Sequence, residues 1–332
     1  MELELDGDVV RGGNRARERF YDSRGYGRAR DGEVDLAPVE AAHLLFRGDV
    51  EAVGGMDFRE LLASAAVSAV DFFVYRDLRD RGFYLTPARE GWVDDPDGVD
   101  FVVYPRGQGP WDDAVAHRVR AVGERDSVPV ASLGNCTLAV VDEESEITYL
   151  GTDHAPVTGD SHADVPPVDG ELLDERVLCW DPPGALYERA FYGQRVDDDA
   201  VQLSLVEAAH LARAGTLSVA GGADAVVARG RAVEGERFDR RLTVYAALRE
   251  AGVVPKTGFK FGADFRTYAD VDGVDDLGHS ELLVRVLSAD HTFDPRDLAL
   301  DVRLAHGVRK TMAFALVAGG DVEWLRVERL TP

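Results

Sequence analysis

Hydrophobic positions along this chain change period twice, in the same order each time. Ser204-Leu205-Val206-Glu207 sets a hydroxyl three residues ahead of a carboxylate at the head of an apolar run, so a capping box is expected to open a helix there. Pro38 takes the first helical turn of a matching run near the amino terminus. A second helix is predicted around Phe73 to Arg81 and again around Leu242 to Ala251, stopped by Gly82 and Gly252. Beyond the second glycine the pattern turns to that of strands. Val253 to Tyr268, Glu281 to Leu287 and Lys310 to Val317 read as strands, with a helix over Arg303 to Arg309 before the last. The predicted class is α+β, each half having a small helical or αβ front and a mixed sheet behind it.

The two runs share residues as well as pattern. Val39-Glu40-Ala41-Ala42-His43-Leu44 recurs unchanged as Val206-Glu207-Ala208-Ala209-His210-Leu211. Val74-Tyr75 through Gly82 is echoed by Val244-Tyr245 through Gly252, and Asp100-Phe101-Val102-Val103-Tyr104 by Asp264-Phe265-Arg266-Thr267-Tyr268. Ordered matches at nearly one offset mean a tandem duplication. The boundary is expected in the Asp/Pro/Gly-rich stretch from Asp153 to Gly170. We divide the chain into residues 1–160 and 161–332, the latter with a front over about 170–242 and a sheet over about 243–332. At 332 residues the chain exceeds what one core usually serves.

Charge changes the picture more than composition does. Acidic residues outnumber basic ones 61 to 37, a net charge of −24, and Lys occurs only at 256, 260 and 310. Such an even acidic excess, with Arg nearly replacing Lys, is the surface of a protein that works in molar salt, where the Debye length falls to about 3 Å. Phosphate neutralisation contributes little there for any protein, so the acidity does not exclude an RNA partner recognised by shape, stacking and a few local cations. Cys136 and Cys179 fit no disulfide framework and no zinc spacing. No apolar run approaches the roughly 18 residues that span a bilayer, and the amino terminus lacks a signal-peptide pattern. A cytoplasmic protein is expected.

Candidate chemistry gathers in the second half. Lys256-Thr257-Gly258-Phe259-Lys260-Phe261-Gly262-Ala263-Asp264-Phe265-Arg266-Thr267-Tyr268 is followed by Leu277-Gly278-His279-Ser280-Glu281, then by Val302-Arg303-Leu304-Ala305-His306-Gly307-Val308-Arg309-Lys310. These segments resemble the catalytic domain of the archaeal tRNA-splicing (tRNA intron) endonucleases. The duplication is similar to the euryarchaeal form with two repeats per polypeptide, so the likeness covers nearly the whole chain.

That resemblance implies Tyr268 as general base, His279 as general acid and Lys310 as the cation that stabilises a pentacoordinate phosphate. Metal-free RNA cleavage needs those three functions: a group to take the 2′-OH proton, one to protonate the leaving 5′-oxygen, and a fixed positive charge. Neither cofactor nor metal is expected, and the products implied are 2′,3′-cyclic phosphate and 5′-OH ends. Tyr is an unusual base at an unperturbed pKa near 10, so a neighbouring cation must assist it. The implied substrate is precursor tRNA cut at both bulges of a bulge-helix-bulge. Two cuts need two sites, hence a homodimer. Arg303 stands where the family stacks an arginine on an unpaired bulge base across the dimer, with Arg326 as its partner.

Internal comparison separates the halves. Tyr104 falls opposite Tyr268 and His117 is placed opposite His279, but Cys136 falls opposite Lys310. The amino-terminal half is read as a structural, non-catalytic repeat. Its acidic run Asp142-Glu143-Glu144-Ser145-Glu146 lies where the family carries an assembly loop. Spacing leaves His306 open as a competitor for the acid. Two other readings stand beside the main one: a metal-dependent nuclease using Asp264 and Lys310, and a non-catalytic scaffold subunit of a splicing complex.

Overall fold

The computed structural model describes residues 1–112 and 114–332. They form two compact units, Met1–Thr152 with Thr292–Leu300 and Arg329–Pro332, and Asp153–His291 with Asp301–Glu328.

In the first unit a small sheet is built from Glu2–Asp6, Val9–Gly12, Arg28–Arg30, Glu33–Leu36 and Ala52–Val53. Helix α1 (Pro38–Phe46) begins at the expected proline, and the Glu40 carboxylate reaches back to accept the Ala37 amide at 2.8 Å. Helix α2 (Ala69–Asp80) follows, and Gly82 at φ +89° turns the chain out of it. Behind lies a sheet in the order β1 (Leu85–Pro87), β2 (Phe101–Val103), β3 (His117–Gly123), β4 (Cys136–Val141), β5 (Ile147–Asp153). Adjacent strands run antiparallel except β3 and β4, which are parallel. One core joins sheet and helices through Leu44, Phe72, Tyr75, Phe101 and Tyr149.

The second unit repeats the plan. Arg176–Trp180, Ala200–Ser204 and Gln194–Asp197 pair antiparallel in its front sheet. Helix α3 (Leu205–Arg213) opens with the expected capping box: Ser204 Oγ accepts from the Glu207 amide, and Glu207 accepts from the Ser204 amide. Helices α4 (Gly222–Glu234) and α5 (Arg237–Glu250) follow, and Gly252 at φ +72° ends the second. The sheet order is β6 (Val254–Thr257), β7 (Phe265–Tyr268), β8 (Leu282–Ser288), β9 (Thr311–Ala318), β10 (Asp321–Leu330), again antiparallel except for one parallel pair, β8 with β9. Its core runs through Cys179, Val206, Phe238, Leu242, Tyr245, Phe265 and Val284.

Two predicted elements need correction, and one helix was not predicted. Val253 to Tyr268 is not one strand but a hairpin, because Gly258 and Gly262 bracket a single 3-10 turn at Phe259–Phe261 and fold β6 onto β7. The helix over Arg303 to Arg309 begins earlier, as α6 (Pro295–Gly307), with its proline in the first turn. It also ends earlier, since Arg309 is left-handed at φ +58°. Helix α4 had no counterpart in the prediction: it starts at Gly222, behind Gly221, both left-handed, with no side-chain cap to announce it.

Candidate active site

Strand register gathers the predicted residues at one end of the second sheet. Tyr268 is the last residue of β7, His279 lies three residues before β8, and Lys310 immediately precedes β9. Because β7 is antiparallel to β8, its end meets the beginning of β8; because β8 and β9 are parallel, their beginnings lie together. Leu283 pairs with Arg266 on one side and Met312 on the other, so the row two residues further out runs Tyr268, Glu281, Lys310. Strands spaced about 4.8 Å apart separate the Tyr268 and Lys310 backbones by roughly 10 Å, within reach of two long side chains meeting at one phosphate.

Tyr268 and His279 line a single cleft of about 280 Å³ with Ala269, Asp270, Asp272, Asp276, Leu277, Gly278 and Glu281. His279 is exposed, whereas Tyr268 is 8% exposed and backed by an apolar cluster of Phe191, Val254 and Val271. Lys310 Nζ donates to the carbonyl of Ser280, the residue after His279, and stands 5.9 Å from the Phe261 ring centroid. Its backbone N–H caps α6 by donating to the Ala305 carbonyl at 3.0 Å, so the left-handed Arg309 aims Lys310 back over the sheet end. Burial, and next the Arg266 guanidinium, push the Lys310 ammonium below its ordinary pKa.

Other predicted residues separate from this cluster. Arg303 is exposed on α6. Arg326 pairs across β9 with Ala313, and its guanidinium donates to the Pro156 carbonyl at 2.6 Å. His306 is exposed on α6, near its carboxyl end. The proposed metal ligand Asp264 is committed elsewhere: Oδ1 accepts Arg237 at 2.6 Å and lies 3.1 Å from Arg241 Nε, while Oδ2 accepts the Val286 amide at 2.9 Å. That buried carboxylate ties α5 to β8, which overturns the reading of it as a metal ligand beside Lys310.

Within the first unit the counterparts are differently placed. Tyr104 donates its hydroxyl to Thr86 at 2.9 Å. His117 is not a loop residue like His279 but opens β3, paired with Val103. Cys136 opens β4, its Sγ 3.4 Å from Thr152 Oγ1. The run Asp142 to Glu146 is a tight turn in which Asp142 accepts the Glu144 and Glu146 amides, each at 2.9 Å.

Comparison with known proteins then decides the family. A description of the tRNA intron endonuclease N-terminal domain matches residues 1–62 and again 168–228, and one of the tRNA intron endonuclease catalytic C-terminal domain matches residues 238–324. The chain belongs to the tRNA intron endonuclease family. Proteins called tRNA-splicing endonuclease from Haloarcula marismortui, Natronomonas pharaonis and Haloferax volcanii are 73%, 66% and 58% identical to it, each aligned over all of both chains. As a family member this is an endonuclease of tRNA splicing, and its haloarchaeal relatives agree with the salt-adapted surface inferred from charge.

Sequence reading missed the support behind this endonuclease's tyrosine. Phe191 packs edge-on against Tyr268, with ring centroids 5.8 Å apart. Phe191 is itself left-handed at φ +52°, where the first unit has Gly25 at φ +63°. Lys256 caps the arrangement: its Nζ donates to the Phe191 and Gly193 carbonyls at 3.2 and 2.6 Å and to Glu207 at 3.1 Å. Lys256 is one of only three lysines in the chain, but its partner is 49 residues away in sequence.

Proposed function

We propose that the chain excises introns from precursor tRNA by cutting both bulges of a bulge-helix-bulge, with Tyr268, His279 and Lys310 as the reacting groups. Tyr268 takes the proton from the 2′-OH, whose oxygen attacks the adjacent phosphorus. His279 gives a proton to the departing 5′-oxygen, and Lys310 holds the charge that builds on the non-bridging oxygens. The bond between phosphorus and the 5′-oxygen breaks, leaving a 2′,3′-cyclic phosphate and a 5′-OH end without a metal ion. What carries the reading is the common end of β7, β8 and β9, where the Tyr268 phenol and the His279 imidazole line one cleft and the Lys310 ammonium donates to the carbonyl of Ser280, next to His279 in the chain.

The remaining parts follow from the same reading. The second half, residues 161–332, is the catalytic repeat, and residues 1–160 form a structural repeat. Support comes from Tyr104, whose hydroxyl is already bonded to Thr86, and from Cys136 at the head of β4 in place of a lysine. A homodimer provides two sites at fixed separation for two cuts, Arg303 and Arg326 grip an unpaired base, and the Asp142–Glu146 turn serves assembly. The enzyme works in the cytoplasm.

The test replaces Tyr268 by Phe, His279 by Ala and Lys310 by Ala, one at a time, and assays a bulge-helix-bulge RNA in high KCl with EDTA. Each variant is expected to lose on the order of 100-fold or more in cleavage rate while still binding the RNA. The wild-type product should carry a cyclic phosphate. A 5′-phosphate product, or cleavage that stops in EDTA, refutes the mechanism.

A further inference from the structure

Arg266 is a further cation beside this site. It lies on β7 two residues before Tyr268, hence on the same face of the strand, with its guanidinium carbon 5.7 Å from the Tyr268 ring centroid. Its field also depresses the Lys310 ammonium, which marks the two cations as neighbours. Several nearby arginines have acceptors: Arg237 and Arg241 meet Asp264, Arg249 the Ala190 carbonyl, and Arg285 meets Asp301. Arg266 forms no ion pair among the described residues, and its Nε is enclosed without a hydrogen-bond partner. In a chain with 61 acidic residues to 37 basic ones, that is not for want of carboxylates.

A guanidinium whose Nε is cut off from water and unpartnered, with a second cation as neighbour, is costly unless an anion arrives to join them. The first unit omits both charges. Its register pairs Thr86 with Val102 where the second unit pairs Lys256 with Arg266, so the repeat that lacks Lys310 has an apolar residue at the Arg266 position. Fold and packing therefore do not require an arginine there.

We propose that Arg266 is a further catalytic residue, donating from its guanidinium to a non-bridging oxygen of the scissile phosphodiester while Lys310 serves the same phosphate from the neighbouring strands. This rests on the reaction assigned above to Tyr268, His279 and Lys310. Arg266 transfers no proton. It holds the phosphate before attack and shares the extra negative charge of the pentacoordinate state, and a planar fork of donors suits two oxygens of one phosphate. Its place over the Tyr268 ring also puts a fixed positive charge beside the phenol that must give up its proton.

The decisive measurement uses the full-length chain and bulge-helix-bulge RNAs whose scissile phosphate carries sulfur at one or the other non-bridging position. Arg266→Gln is expected to slow single-turnover cleavage of the all-oxygen RNA on the order of 100-fold. It should also shrink the wild-type slowing caused by sulfur at one of the two positions, and Arg266→Lys should recover part of the rate. The melting temperature in high KCl should stay level or rise, since repulsion with Lys310 is relieved. Cleavage within twofold of wild type overturns the proposal. So does a slower variant in which both sulfur effects keep their wild-type size, because Arg266 then acts only on the structure. Lys310→Ala in the same assay separates the two readings: if it cleaves like wild type, the assigned site is wrong whatever Arg266 does.

Discussion

Lys256 Nζ lies 3.1 Å from Glu207 Oε1, and with the two side chains only 10% and 8% exposed this is an ion pair removed from water. Burial alone would raise the Glu207 carboxyl, but Lys256 and the Ser204 and Gly193 amides outweigh it and hold its pKa below the ordinary value. Removing the cation strands the carboxylate. Lys256→Met should therefore destabilise the chain by about 3 to 5 kcal/mol, read as a fall in thermal or guanidinium midpoint in high KCl. A loss of only a few tenths would mean that water already reaches the pair.

Glu40 is the same residue without the cation. Its oxygens accept the Gly27 and Ala37 amides at 2.7 and 2.8 Å, as those of Glu207 accept Gly193 and Ser204, but Thr86 stands where the second unit has Lys256. Burial pushes the Glu40 carboxyl from 4.5 up to about 7. A carboxyl raised on folding contributes stability that is complete below the unfolded value and is lost as pH rises through the folded one. Stability should thus decline between about pH 4.5 and 7, by roughly 3 kcal/mol at about 1.4 kcal/mol per pH unit, and then level off. Unfolding midpoints across pH 5 to 8 check this: Glu40→Gln should flatten that part of the curve, and an unchanged slope would show that another group titrates there.

Legibility from sequence divides along a physical line. The Ser204 to Glu207 box, Pro38, Gly82 and Gly252 were readable because a cap or a left-handed stop is set by residues within a few positions of each other. The duplication was readable because it is repetition. Tyr268, His279 and Lys310 were nominated by resemblance, and their convergence depends on antiparallel and parallel pairings that no local pattern encodes. Asp264 shows the limit from the other side: a carboxylate in a strand near a lysine looks free until two arginines from α5 are seen against it. Arg266 is the converse case, since having no partner is a property of the folded surroundings alone.

Phe191 offers a test of what holds the tyrosine. It keeps a left-handed backbone that the first unit assigns to glycine, and its ring forms a wall against Tyr268. Phe191→Gly removes backbone strain of about 1 kcal/mol but also a buried ring worth about 3 to 5 kcal/mol, so a net loss of roughly 2 to 4 kcal/mol is expected. With Tyr268 released into the space, the single-turnover cleavage rate should fall about tenfold at saturating enzyme, below the variant's melting range. A normal rate there would show that the other walls, Val254 and Val271, suffice to position the phenol.

Assembly is open to a complementation test. Under the proposed arrangement Arg303 of one chain serves the site of the other, so Lys310→Ala and Arg303→Ala homodimers should each be impaired for different reasons. Arg303 is exposed on α6 and its loss should leave folding intact. Mix the two variants, let subunits exchange, and each heterodimer holds one site with an intact Lys310 that receives an intact Arg303 from its partner. Random exchange would repair roughly a quarter of all sites, enough to restore cleavage at single bulges. If each arginine instead serves its own chain, every site with Lys310 lacks its arginine and mixing restores nothing. Recovery on mixing therefore distinguishes a site shared between subunits from two self-sufficient chains that merely associate.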